Sequence, residues 1–134
     1  MKIVSGVTLA LWVDDYDKAI EFYCEQSQLF SLVANATIDS DNRNVVLGCN
    51  NPNAPFRLVV YRATTPAMLS LVGHQGGERA LFVLPIDDCM GSYERLRVAG
   101  VAFVGEPVQL PYGCQATMID PFGNKVCLSE RYST

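Results

Sequence analysis

The sequence predicts an α+β fold built from two βαβββ units in tandem. Two observations carry this reading. The order strand, helix, three strands can be followed twice along the 134 residues from hydrophobic periodicity and turn signals. A shift of 73 residues also lays WVDDYDKAIE (12–21) over PIDDCMGSYE (85–94), matching both acid pairs and Glu21 with Glu94, which marks an internal duplication. With 49% hydrophobic content the chain has material for one domain over 1–134, with units at about 1–64 and 78–134 and a linker at about 65–77.

The first strand is the apolar run at 7–13, bounded by Gly6 and Asp14, as suits a strand covered on both faces. A helix follows because Asp14 or Asp15 can accept from free backbone N–H groups, and Tyr16, Ile20 and Tyr23 then recur at helical spacing before it fades near Ser27. Strands are expected at 32–38, at 45–47 after the polar turn 40–42, and at 56–61 after the Asn/Pro loop 50–55. Thr65 and Pro66 can start a short helix through Leu71, since threonine caps and proline is tolerated in a first turn. His74-Gln75-Gly76-Gly77 reads as a loop. The order then restarts with a strand at 80–86, a helix capped from Asp87-Asp88 with Cys89, Tyr93 and Leu96 inside, and Gly100 placed to end it. Strands at 101–104, 114–119 and 125–129 complete the second unit. The last two are joined by Asp120-Pro121-Phe122-Gly123-Asn124, where proline presets φ and glycine takes the left-handed position.

Composition narrows the function classes. Ten basic against fourteen acidic side chains give a net charge of −4, with no Lys/Arg cluster to neutralise a row of phosphates, so nucleic acid is not an expected partner. Five scattered cysteines without a CxxC pair suggest neither a disulfide framework nor a zinc site and fit reduced, cytoplasmic thiols. The N-terminal apolar stretch is interrupted by Ser5, Gly6 and Thr8 and reads as a strand instead of a cleaved leader. No apolar run approaches the ~20 residues of a membrane helix.

Three stretches, VDDYDKAIEFY (13–23), IDDCMGSYERLRVAGV (86–101) and PYGCQATMIDPFGN (111–124), give the chain a resemblance to the vicinal oxygen chelate superfamily of glyoxalases, extradiol dioxygenases and bleomycin-resistance proteins. The resemblance covers nearly the whole chain. It implies that the paired units curl a mixed sheet into a cup with the helices on its outer face, that the concave face carries the site, and that copies assemble as homodimers. Metal-dependent members hold one divalent ion with four side chains, usually His or Gln, Glu, His and Glu. The resemblance puts those positions on Thr8, Arg57, Leu81 and Cys127, and the 73-residue repeat independently relates Thr8 to Leu81. Leucine donates nothing and a guanidinium stays protonated, so no metal and no other cofactor is expected.

Strand alternation puts Thr8, Ala10 and Trp12 on one face and Leu9, Leu11 and Val13 on the other. By the resemblance the first set faces the cup, with Arg57, Val59 and Tyr61 and with Cys127 and Ser129. Thr8, Trp12, Arg57, Tyr61 and Cys127 are the expected ligand-binding residues. The bland alternative is a filled cup in which Trp12 and Tyr61 are packing and Arg57 is neutralised by a nearby carboxylate such as Glu78. Cys127 reads as a small apolar filler because no base is placed beside it, and the acid pairs read as helix caps. Two functions follow: a metal-free binder of a small aromatic or planar organic ligand, or a glyoxalase-like lyase or isomerase with non-standard ligands or acid/base groups, for which His74, Glu78 and Glu130 are the candidates. The net acidity favours a cationic ligand at long range. Arg57 favours a carboxylate or carbonyl at close range, and it decides local orientation.

Overall fold

The structure, a computed structural model, describes residues 1–4 and 6–133. The chain divides into two compact units, Met1–Val72 and Gly73–Thr134. In the first, β1 (Thr8–Val13) leads into α1 (Tyr16–Ile20), and β2 (Phe30–Thr37), β3 (Arg43–Cys49) and β4 (Arg57–Arg62) precede the single turn of α2 (Pro66–Leu69). Its sheet runs β1-β4-β3-β2, with β1 and β4 parallel and the other pairs antiparallel. In the second, β5 (Phe82–Pro85), α3 (Cys89–Val98), β6 (Ala102–Phe103), β7 (Val108–Leu110), β8 (Gly113–Ile119) and β9 (Lys125–Arg131) give the sheet β5-β9-β8-β6, again with its first and last long strands parallel. The two units share one topology, as the internal repeat predicts. The short β7, paired to β8, is an addition that the sequence reading did not contain.

Helix starts follow the acid pairs. Asp15 accepts from the backbone N–H of Asp17 and Lys18, and Asp88 from that of Gly91, so the second member of each pair is the cap. Asp14 instead lies 4.0 Å from Lys18 one turn on. Thr65 caps α2 by accepting from the N–H of Met68. The helix ends differ. After Ile20 the chain winds as a π-helical turn, Glu21–Gln26, and the Ser27 N–H reaches back to the Phe22 carbonyl at 2.8 Å. The left-handed residue that closes this turn, Gln28, comes one residue later after its cap than Gly100 does after Asp88. The π turn therefore absorbs a one-residue insertion in the first helix while Phe22 and Tyr23 stay buried.

Each sheet buries one face under its own helix. In the first unit Leu11, Val13, Val45, Leu47, Leu58 and Val60 are fully buried, and Tyr23 meets Phe22 and Phe30 edge to face at 4.8 and 5.6 Å. In the second, Cys89 and Leu96 of α3 are fully buried, as are Met118, Val126 and Leu128, and Cys89 clusters with Cys114 and Ala116. The alternation of buried and less buried residues along β1 and β4 leaves the opposite face of the first sheet to the even-numbered residues of β1 and the odd-numbered residues of β4. That open face carries the candidate site.

Candidate functional site

Register fixes which side chains meet on the open face of the first unit. Thr8 lies opposite Arg57, Ala10 opposite Val59, and Trp12 opposite Tyr61 along the parallel pair β1–β4. Four of the five residues expected from the sequence are therefore neighbours on two strands. The Trp12 and Tyr61 rings are 5.3 Å apart and tilted by 47°, an aromatic pair with 43% of Tyr61 exposed. Two recesses open at the ends of this strand pair. One, of about 440 Å³, is bounded by Trp12, Val59, Tyr61, Ile38, Thr64 and Met68; the other, of about 170 Å³, by Gly6, Val7, Thr8, Pro55 and Arg57.

Three arginines reach these recesses, and two of them are already engaged. Arg43 pairs with Asp17 at 3.0 Å, donates to the Asn35 side-chain oxygen at 2.8 and 3.2 Å, and lies over the Tyr16 ring at 5.1 Å. Arg62 donates to the Asp41 carbonyl at 3.0 Å, with that residue's carboxylate at 3.8 Å. Arg62 thus holds the 39–42 turn between β2 and β3, whereas Arg43 ties β3 to α1 and β2. That turn is shaped further by Asp39, which accepts from the N–H of Asp41 and from the side-chain amide and N–H of Asn42; these bonds hold the Asp39 carboxyl below its usual range. Among the described residues of its own unit, the Arg57 guanidinium makes neither an ion pair nor a hydrogen bond. Its charge is available.

Cys127, the fifth expected residue, belongs to the second unit, where it lies opposite Val83 on β5 and Thr117 on β8. It is 8% exposed. Burial pushes its thiol above the ordinary value, partly offset by the Thr117 hydroxyl, so thiolate is scarce near neutral pH and a nucleophilic role is disfavoured. Leu81 immediately precedes β5 and donates its N–H to the Lys125 carbonyl. The partner of Leu81 across the strands is thus Lys125, two residues before Cys127, whereas Thr8 faces Arg57 directly. The donor set of these positions, one hydroxyl and one buried thiol beside a guanidinium and a leucine, does not fit a divalent ion. No group of three or more His, Cys, Asp or Glu side chains able to hold a metal occurs among the described residues.

The acid/base candidates are scattered. His74 is exposed in the turn before β5, and Glu78 is exposed with its carbonyl accepting from the Lys125 ammonium. Glu130 lies opposite Cys114 on the helix-facing side and accepts from the Cys89 N–H at 2.9 Å, so it serves the start of α3. The sequence reading missed Arg43, Arg62 and Met68 around the larger recess. Their partners are distant in sequence, and no local pattern signals them.

Comparison with known proteins places this geometry in a family. The profile of the Glyoxalase/Bleomycin resistance protein/Dioxygenase superfamily matches residues 7–128. An uncharacterized protein of Shewanella frigidimarina (strain NCIMB 400) is 33% identical over 120 residues, 90% of this chain and 88% of that one. Among solved structures, UcmS2 superposes with a TM-score of 0.80 at 28% identity over 96% of this chain and 98% of its own. TnmS3, an antibiotic binding protein from Streptomyces sp. CB03234, superposes at 0.75 and 29% over 98% and 99%. With the repeated βαβββ topology and a family match over nearly its whole length, the chain belongs to the Glyoxalase/Bleomycin resistance protein/Dioxygenase superfamily.

Proposed function

We propose that this protein is a metal-free binding protein for a small aromatic or planar organic compound, held by Thr8, Trp12, Arg57 and Tyr61 of the first unit and Cys127 of the second, with the two units acting as one domain and two copies forming a homodimer. The observation that carries the reading is the register of β1 on β4, which sets an aromatic pair and an unengaged guanidinium on one face of the same two strands. An apolar recess with a few fixed polar groups is the usual form of a small-molecule site, and about 440 Å³ lies within the range such sites occupy. The likeness to TnmS3, itself an antibiotic binding protein, supports the same class of ligand. In this reading Arg57 orients a carboxylate or carbonyl, and the protein works by sequestration, not by turnover.

Trp12 is the only tryptophan, so its emission reports on the site directly. Titration with a library of aromatic acids, cations and neutral compounds should change that emission saturably. Arg57→Ala should weaken carboxylate-bearing ligands by about 1–3 kcal/mol, the scale of a charged hydrogen bond, and leave neutral analogues nearly unchanged. Emission untouched by the whole library would mean that Trp12 and Tyr61 are packing.

A further inference from the structure

We propose that the ligand is elongated and amphiphilic, with a planar apolar body in the larger recess and an anionic group at Arg57 joined through an extended spacer. The inference rests on the small-molecule reading above and adds the ligand's dimension and polarity. Thr8–Arg57 and Trp12–Tyr61 are register pairs four residues apart on both strands. At roughly 3.3 Å per residue their backbone positions are separated by about 13 Å, so one small ring cannot occupy both ends.

The two recesses differ in the way such a ligand requires. The one of about 440 Å³ is walled in part by Trp12, Ile38, Val59, Tyr61 and Met68, flat rings and apolar side chains, with the adaptable Met68 among them, that accept a ring body. The one of about 170 Å³ is large enough only for a head group, and Thr8 and Arg57 supply its hydroxyl and guanidinium. Charge availability sets the direction. Although Arg43 and Arg62 border the ring recess, Asp17, Asn35 and Asp41 hold them, so an anion near the rings would compete with partners already in place. Arg57 has no such competitor in its unit, and an incoming carboxylate there gains a charge-assisted bond without breaking one.

Calorimetric titration with 2-naphthoic acid, 4-(2-naphthyl)butanoic acid and 7-(2-naphthyl)heptanoic acid, each beside its primary amide, tests this. The amides remove the effect of chain hydrophobicity, so the acid-to-amide affinity ratio reads the head-group contact alone. The expected ratio is near one for naphthoic acid and about tenfold or more for the heptanoic acid. Arg57→Gln should return the long acid's ratio to near one, Arg57→Lys should retain part of it, and amide binding by both variants verifies an intact site. A ratio independent of spacer length, or one that survives Arg57→Gln, would overturn the spanning arrangement while leaving small-molecule binding in place. If neither acids nor amides bind at any length, the small-molecule reading fails and this inference fails with it.

Discussion

Asp120 holds the turn between β8 and β9 by itself. One of its carboxylate oxygens accepts from the N–H of Phe122 and of Asn124 at 3.0 and 2.8 Å, the other from the Asn124 amide at 2.9 Å, and the residue is only 4% exposed. Asp120→Ala would strand these donors in a buried turn, so it should lower stability by about 2–4 kcal/mol in denaturant titration, whereas Pro121→Ala at the exposed corner should stay within about 1 kcal/mol. The turn was legible because DPFGN carries its own conformational instructions. The thiols illustrate what was not. Cys89 reads as a helix residue, but only the fold brings it against Cys114 and near Glu130; burial, the Cys114 contact and these charges raise its thiol from 9.0 to about 12. A raised pKa in the folded state means that stability is fully present below the unfolded thiol's value and is lost as pH climbs from about 9 towards 12. Alkaline unfolding should therefore begin above pH 9 and shift upward in Cys89→Ala measured against its own neutral-pH stability. A thiol-reactive dye at neutral pH should label Cys89, Cys114 and Cys127 only after denaturant is added.

At the scale of elements, alternation and capping were readable because each depends on neighbours within one turn or one strand. Asp15 and Asp88 occupy the same place in the repeat and do the same job. The π turn was hidden, since an inserted residue leaves Tyr16, Ile20 and Tyr23 at plausible helical spacing and shows only where Gln28 must turn left-handed. β7 was hidden for another reason: Val108–Leu110 has three residues between prolines, too short for a period to emerge. Because the π turn already contains a surplus residue, deleting the exposed Glu25 should let the first helix close as a regular α-helix at a cost of no more than about 1–2 kcal/mol. Deleting the exposed Glu94 from α3, which has no surplus, rotates Leu96 off the core and should cost about 3 kcal/mol or more. Equal losses for the two deletions would mean that the π turn is a packing requirement and not an accommodated insertion.

The whole molecule repeats one unit with two differently specialised open faces. The first carries Trp12, Tyr61 and Arg57, while the second carries Val83, Thr117 and Cys127. The repeat, and hence the topology, was visible in the sequence because both copies kept their acid caps; the charge balance around the site was not, because Arg43 and Arg62 are neutralised by partners on other elements. With a guanidinium and a leucine at two of the four positions that the resemblance assigns to the ion of metal-dependent members, protein purified without chelator should contain well under one zinc, nickel, manganese or iron per chain, and about one metal lost in Cys127→Ala would overturn this. Tyr61 and Val83, each on an open sheet face, keep 43% and 54% of their surface exposed, and apolar surface of this kind can be covered by another sheet. A second copy supplies one in the proposed homodimer. Light scattering at micromolar concentration should then report about twice the 14.7 kDa chain mass, and Val83→Asp should shift the distribution towards single chains while circular dichroism stays unchanged. A mass of 14.7 kDa at that concentration would overturn the homodimer.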